Sequence, residues 1–148
     1  MRYISAASKW INIIAVAEAM ALAVLYTRCY HSANIRISGR TELTLIFIAG
    51  VLVFGILFLL QRFPRFFPFP VKIRPANMAY QAEIAKLFLT VMSVLVTGVF
   101  ICALYGRYRS LLYDPQEAAY LPMYIPLGLC GLCIAGTIIY IISARRHR

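Results

Sequence analysis

The sequence predicts an all-α membrane protein, four transmembrane helices in a compact bundle with both termini on the cytoplasmic side. Three observations lead there. Hydrophobic residues make up 62% of the chain and charged residues 14%, against about 45–50% and about 25% in soluble domains; mean hydropathy is +0.78. Four apolar runs approach or reach the length of about 20 residues that carries a helix across the hydrocarbon core, and they divide residues 1–148 as one membrane domain. Finally, the basic residues lie between these runs rather than on one solvated face. That placement suits anionic lipid headgroups and topology signals, so a net charge of +10 points to the bilayer and not to nucleic acid.

The first span, 10–26, follows a basic start with Arg2 and Lys9. It resembles a signal sequence with a conceivable cleavage site at Ala17-Glu18-Ala19, but the apolar run continues to Tyr26, so an uncleaved signal-anchor helix is expected. The second span, 43–60, is the most uniformly apolar, with Thr41 expected to cap it and Glu42 in its first turn. The third, 84–104, is expected to continue a helix begun at Pro75, whose missing N–H suits a first helical position; that helix would run about 45 Å. The fourth, 124–142, has Pro126 near its start, permitting a bend. Trp10, Tyr26, Tyr105, Tyr124 and Tyr140 fall where aromatic rings favour headgroups.

Four spans put both termini on one side, with Arg2, Lys9, Arg62, Arg65, Lys72, Arg74, Arg145, Arg146 and Arg148. The other side holds Arg28, Arg36, Arg40, Arg107 and Arg109, with Asp114 and Glu117. The richer side is expected to be cytoplasmic, N-in and C-in, which leaves 27–42 and 105–123 as outer loops. Small residues mark packing lines: Ala15, Ala19 and Ala23 on the first helix, Ser93 with Thr97 and Gly98 with Cys102 on the third, and Gly131 with Ala135 on the fourth, near Gly128 and Gly136. No internal repeat marks a two-halved transporter.

Glu18 stands at about the middle of its span, where a charged carboxylate costs roughly 2.5–3.5 kcal/mol or more. One reading is a proton or cation relay; the other is a protonated acid hydrogen-bonded to Thr97 or Thr137 that fixes the bundle's register. Lys86 is near the end of its helix and can snorkel. Cys130 and Cys133 form a CxxC that could serve quinone-linked thiol chemistry, but a relay needs a second cysteine pair and a charge to activate a thiol. Packing by small apolar side chains is the other reading, and Cys29 and Cys102 complete a set too small for a disulfide framework. His31 begins the outer loop, where with Tyr30 and Asn34 it could meet a peptide or headgroup phosphate, or lie in a solvated loop. No catalytic triad, phosphate-cradling loop or metal spacing is present, so no catalytic residue, metal or cofactor is expected.

The connector 61–77, QRFPRFFPFPVKIRPAN, reads in three parts. Phe63, Phe66 and Phe67 form an interfacial girdle with Arg62 and Arg65; Pro68, Phe69 and Pro70 enforce an extended path through Val71, Lys72 and Ile73. A new helix then places Asn77, Gln81 and Ile84 on one face.

The order of these pieces resembles a family of small bacterial membrane proteins, the domain of unknown function sixteen-forty-eight, shared with the N-terminal part of SdpI-like immunity proteins. The resemblance rests on Arg62-Phe63-Pro64, then Phe69-Pro70-Val71-Lys72-Ile73, then Asn77 and Gln81 four apart, with His31 and Asn34 about where the family's outer-loop pair falls. It covers roughly residues 20–105, and its most specific part is 62–81. The first outer loop is shorter than the family's, and Arg74-Pro75 stands where Thr-Glu is usual. The resemblance implies a non-enzymatic binding, sensing or immunity module in the bacterial inner membrane. It would act on a peptide or membrane-protein partner through Arg62, Pro64, Arg65, Pro70, Lys72, Asn77 and Gln81. The alternatives are a transport subunit using Glu18 and a thiol oxidoreductase using Cys130 and Cys133.

Overall fold

The computed structural model describes residues 2–32, 37–63, 78–112 and 121–146, and four long helices fill them. They are α1 (Arg2–Tyr30), α2 (Ile37–Arg62), α3 (Met78–Leu112) and α4 (Leu121–Arg146). Each contains a segment long and apolar enough to cross a membrane. At 1.5 Å per residue they measure about 43, 39, 52 and 39 Å, all longer than the roughly 30 Å hydrocarbon core. The four-helix, all-α architecture is therefore as the sequence predicts.

Helix α3 is the centre of the bundle. It packs along α1, α2 and α4, while α1 and α2 meet slightly and α4 leans on α3 alone apart from marginal contact. Tyr26 of α1 reaches Thr44 of α2, and Arg107 of α3 reaches Glu42 of α2, so α2 runs antiparallel to both and α1 parallel to α3. Gln81, early in α3, bonds Ala144, late in α4, which makes that pair antiparallel too.

The buried stripe of α1 is Ser8, Ala15, Leu22 and Cys29, seven residues apart at each step. A period of 3.5 in place of 3.6 keeps one seam facing a neighbour along the whole helix at a shallow crossing angle. The buried residues of α3 are Gln81, Ala85, Leu89, Thr90, Ser93, Thr97 and Leu104. Their hydroxyls do not leave polar groups unsatisfied, because Thr90 donates to Lys86 O, Ser93 to Thr90 O and Thr97 to Ser93 O, each at 2.7 Å. Turned back on their own helix, they offer small surfaces to the helices packed on α3.

Three sequence expectations change. Helix α2 starts at Ile37, so Thr41 is an interior residue and not its cap; its Oγ1 donates to Ile37 O at 3.3 Å. The early start is held by burial of Gly39 and Leu43. Helix α3 runs on to Leu112, taking 105–112 out of the predicted loop, because Tyr108, Leu111 and Leu112 pack against the core of Leu22, Cys29, Leu43 and Leu104. On α4, Gly131 and Ala135 face outward, and a Cβ at Gly131 would meet nothing within 4 Å. The inner face is instead Leu129, Cys133, Tyr140 and Ala144, with Tyr140 stacked on Phe88 at 4.5 Å between ring centres.

Helices approach closely at Gly50, where an added Cβ would stand 3.1 Å from Leu22 Cδ2 and 3.1 Å from Phe100 Cγ. The absence of a side chain there lets α2 seat against α1 and α3 together. No sequence expectation marked this glycine, since its neighbours in the span, unlike those of the Ala15 line, are large.

Candidate functional site

Glu18 lies one turn before Leu22 on the inward edge of α1, half-buried. Its Oε2 is sealed from solvent and has no hydrogen-bond partner. The two hydroxyls expected to hold it do not: Thr97 donates to Ser93 O and Thr137 to Cys133 O at 2.8 Å. Since Leu22 and Phe100 meet at Gly50, and α1 runs parallel to α3, Glu18 is level with the turn before Phe100. A second carboxylate oxygen without a partner, Glu83 Oε2, is also sealed. It sits about 20 Å along the bundle from the level of Glu18, too far for a direct proton transfer. Chemically, Glu18 can hold a proton or a small cation, and the described residues supply no adjoining acid or base to pass it on.

At the other candidate, the ends of the connector are visible. Arg62 closes α2 and is exposed. Gln81 is 1% exposed and donates from Nε2 to Ala144 O at 3.1 Å. That bond meets one of the carbonyls a helix leaves open at its C-terminal end, so the amide ties the start of α3 to the end of α4. Ile84 joins Gln81 on the same side of α3, half-buried. Gln81 Oε1, Gln61 Nε2 and Ser8 Oγ are sealed without partners on three helices toward this end. Pro64, Arg65, Pro70, Lys72 and Asn77, like Asn34 of the outer loop, lie outside the described residues.

His31 is fully engaged at the end of α1. Its backbone N–H donates to Thr27 O at 3.2 Å, and its Nδ1 does the same at 2.9 Å. A carbonyl can only accept, so Nδ1 carries the proton, and the ring closes the helix terminus with its edge on Tyr30. The sequence readings of His31, a recognition residue or part of a solvated loop, did not include this capping bond; the side chain is exposed.

Around it lies a polar cluster that sequence reasoning did not single out. Arg107 Nε donates to Glu42 Oε2 at 2.6 Å, and Arg107 also reaches Ser110. Thr44 gives its only proton to Arg40 O at 2.8 Å, so Tyr26 must donate its own to Thr44 at 3.0 Å, with its ring stacked on Phe47 at 4.3 Å. Arg40 spreads over the Tyr30 ring at 5.6 Å. These pairings cross between helices, and single-sequence periodicity carries no signal for them.

Cys29, Cys102, Cys130 and Cys133 are free thiols; Cys29 is buried and Cys130 exposed on the outer face of α4. Among the described residues no three His, Cys, Asp or Glu side chains come together as a metal would require. Comparison with protein-family models, curated proteins and solved structures finds no match to this chain.

Proposed function

We propose that the chain is a non-enzymatic binding module of a bacterial cytoplasmic membrane, SdpI-like, with both termini inside and the 62–81 segment docking a protein partner at the cytoplasmic face. The observation that supports this most is the Gln81 bond to Ala144 O. It builds the helical end of the docking segment into the contact between α3 and α4, so a partner that grips the connector acts on the bundle and not on a loose tether. In the sensing or immunity version of this role, a peptide met on the outer side changes how that end is presented. Arg65→Ala or Asn77→Ala should abolish co-purification of the partner while the protein remains inserted and folded. Co-purification at the wild-type level in both variants defeats the proposal.

A second reading is favoured by the sealed, unbonded Oε2 of Glu18. In it the chain is a subunit of a proton- or cation-coupled transporter with Glu18 as the titrating group. Glu18→Gln should then abolish an ion-dependent flux in proteoliposomes, and no flux from the wild-type protein ends that idea.

A further inference from the structure

A groove of about 380 Å³ opens where the end of α1 meets the start of α2, lined by Tyr30, Ile37, Arg40, Thr41, Thr44 and Leu45. We infer that it holds the phosphate of an anionic membrane phospholipid on Arg40, with an acyl chain running along Leu45.

Arg40 is a half-buried cation whose donors are under-used. Its Nε is enclosed, without an acceptor among the described residues and out of reach of a ligand, and Nη2 makes one long bond of 3.4 Å to Ser32 O, so the Nη edge of the guanidinium is the one with donors to spare. Its other contact is the face of Tyr30, which attracts the charge but accepts no directed hydrogen bond. A guanidinium offers five donors in a planar fork that matches phosphate oxygens two at a time. Among the described residues no carboxylate pairs with Arg40, because Glu42, its near neighbour in sequence, is taken by Arg107. Among the described residues, then, nothing neutralises the positive charge on this wall of the groove.

The change in lining along α2 decides what kind of anion fits. Leu45 is 62% exposed and belongs to the apolar length of α2, while Ile37 at the polar end is 83% exposed. The groove thus passes from a cation and two hydroxyls into a hydrocarbon-facing surface. A soluble anion would use the first part and leave the second idle; a phospholipid uses both. Tyr26 and Tyr30 place this region where aromatic rings meet headgroups. The inference does not depend on the cytoplasmic docking role, since it concerns the other end of α2.

The test uses the full chain in mild detergent, with native mass spectrometry of retained phosphatidylglycerol, diacylglycerol and glycerol phosphate as probes. The wild-type protein should retain phosphatidylglycerol, and Arg40→Ala should weaken that binding about tenfold or more, as expected for loss of charge-assisted hydrogen bonds. Arg40→Lys should recover part of it, and Arg145→Ala, which removes an exposed charge at the other end of the bundle, should leave it unchanged. Should Arg40→Ala not survive extraction, Arg40→Gln is read in its place by the same criterion. Equal losses in the Arg40 and Arg145 variants would mean general charge attraction and overturn the site. Equal retention of diacylglycerol would reduce it to apolar filling, and displacement by glycerol phosphate at matching concentration would make the ligand a soluble anion; either result overturns the proposal.

Discussion

Gly50 and Glu18 show how differently two residues of one core can be held. A methyl group at Gly50 would press on Leu22 Cδ2, the end of a flexible side chain, but also on Phe100 Cγ at 3.1 Å and on Phe100 Cβ at 3.2 Å, the last of which moves only with the helix. Gly50→Ala is therefore expected to destabilise the bundle by about 1–3 kcal/mol, and Gly50→Val by more. Unfolding in mixed micelles with rising SDS checks this, and an alanine variant as stable as wild type would mean the helices are not seated there. Glu18 has the opposite character. Its buried oxygen lacks a partner, so the acid is a burden on the fold and not a fastener. Glu18→Leu is expected to raise stability by about 1 kcal/mol or more in the same titration. A loss of stability would instead reveal a register-holding bond.

At the scale of the element, helix ends are where sequence and structure part. The apolar runs at 10–26, 43–60, 84–104 and 124–142 locate all four helices of the described residues, because a span must satisfy its backbone internally and only a helix does so alone. They do not locate the ends, which are set by neighbours. Helix α2 reaches back to Ile37 because Gly39 and Leu43 find cover, and α3 reaches Leu112 because Tyr108, Leu111 and Leu112 find a core. The reassignment of Thr41 can be measured. Loss of an N-cap costs about 1 kcal/mol, whereas replacing an exposed interior threonine by alanine slightly favours a helix. Thr41→Ala is expected to leave stability unchanged or a little higher; a loss of 1 kcal/mol or so would return Thr41 to the cap.

For the whole molecule, hydropathy and length made the all-α architecture legible, and the small residues Ala15, Ser93 and Thr97 marked positions that are buried, with Ala19 and Ala23 half-buried beside them. The Gly131 and Ala135 line did not, because small residues permit close approach without naming which side of a helix is approached. The candidate sites were legible as residue types, with Glu18 conspicuous by its charge and Gln81 by its place in the motif. The partner of Gln81, like the Arg40 and Arg107 cluster, depends on which helix ends lie together, and that is fixed only by the assembled bundle.

That assembly has a consequence for how the protein is made. The helix that all others lean on is the third to be synthesised, and the first two have little hold on each other without it. Early in biogenesis α1 and α2 must wait in the bilayer as nearly separate spans, open to capture by insertion factors or by quality-control proteases, until α3 arrives between them. Cysteines introduced as Tyr26→Cys and Phe47→Cys, at a stacked pair 4.3 Å apart, would report this. Cross-linking should be poor in a nascent chain halted after Arg62 and should rise sharply once synthesis has passed Leu112, before α4 exists. Efficient cross-linking in the shorter chain would show that the first hairpin closes unaided.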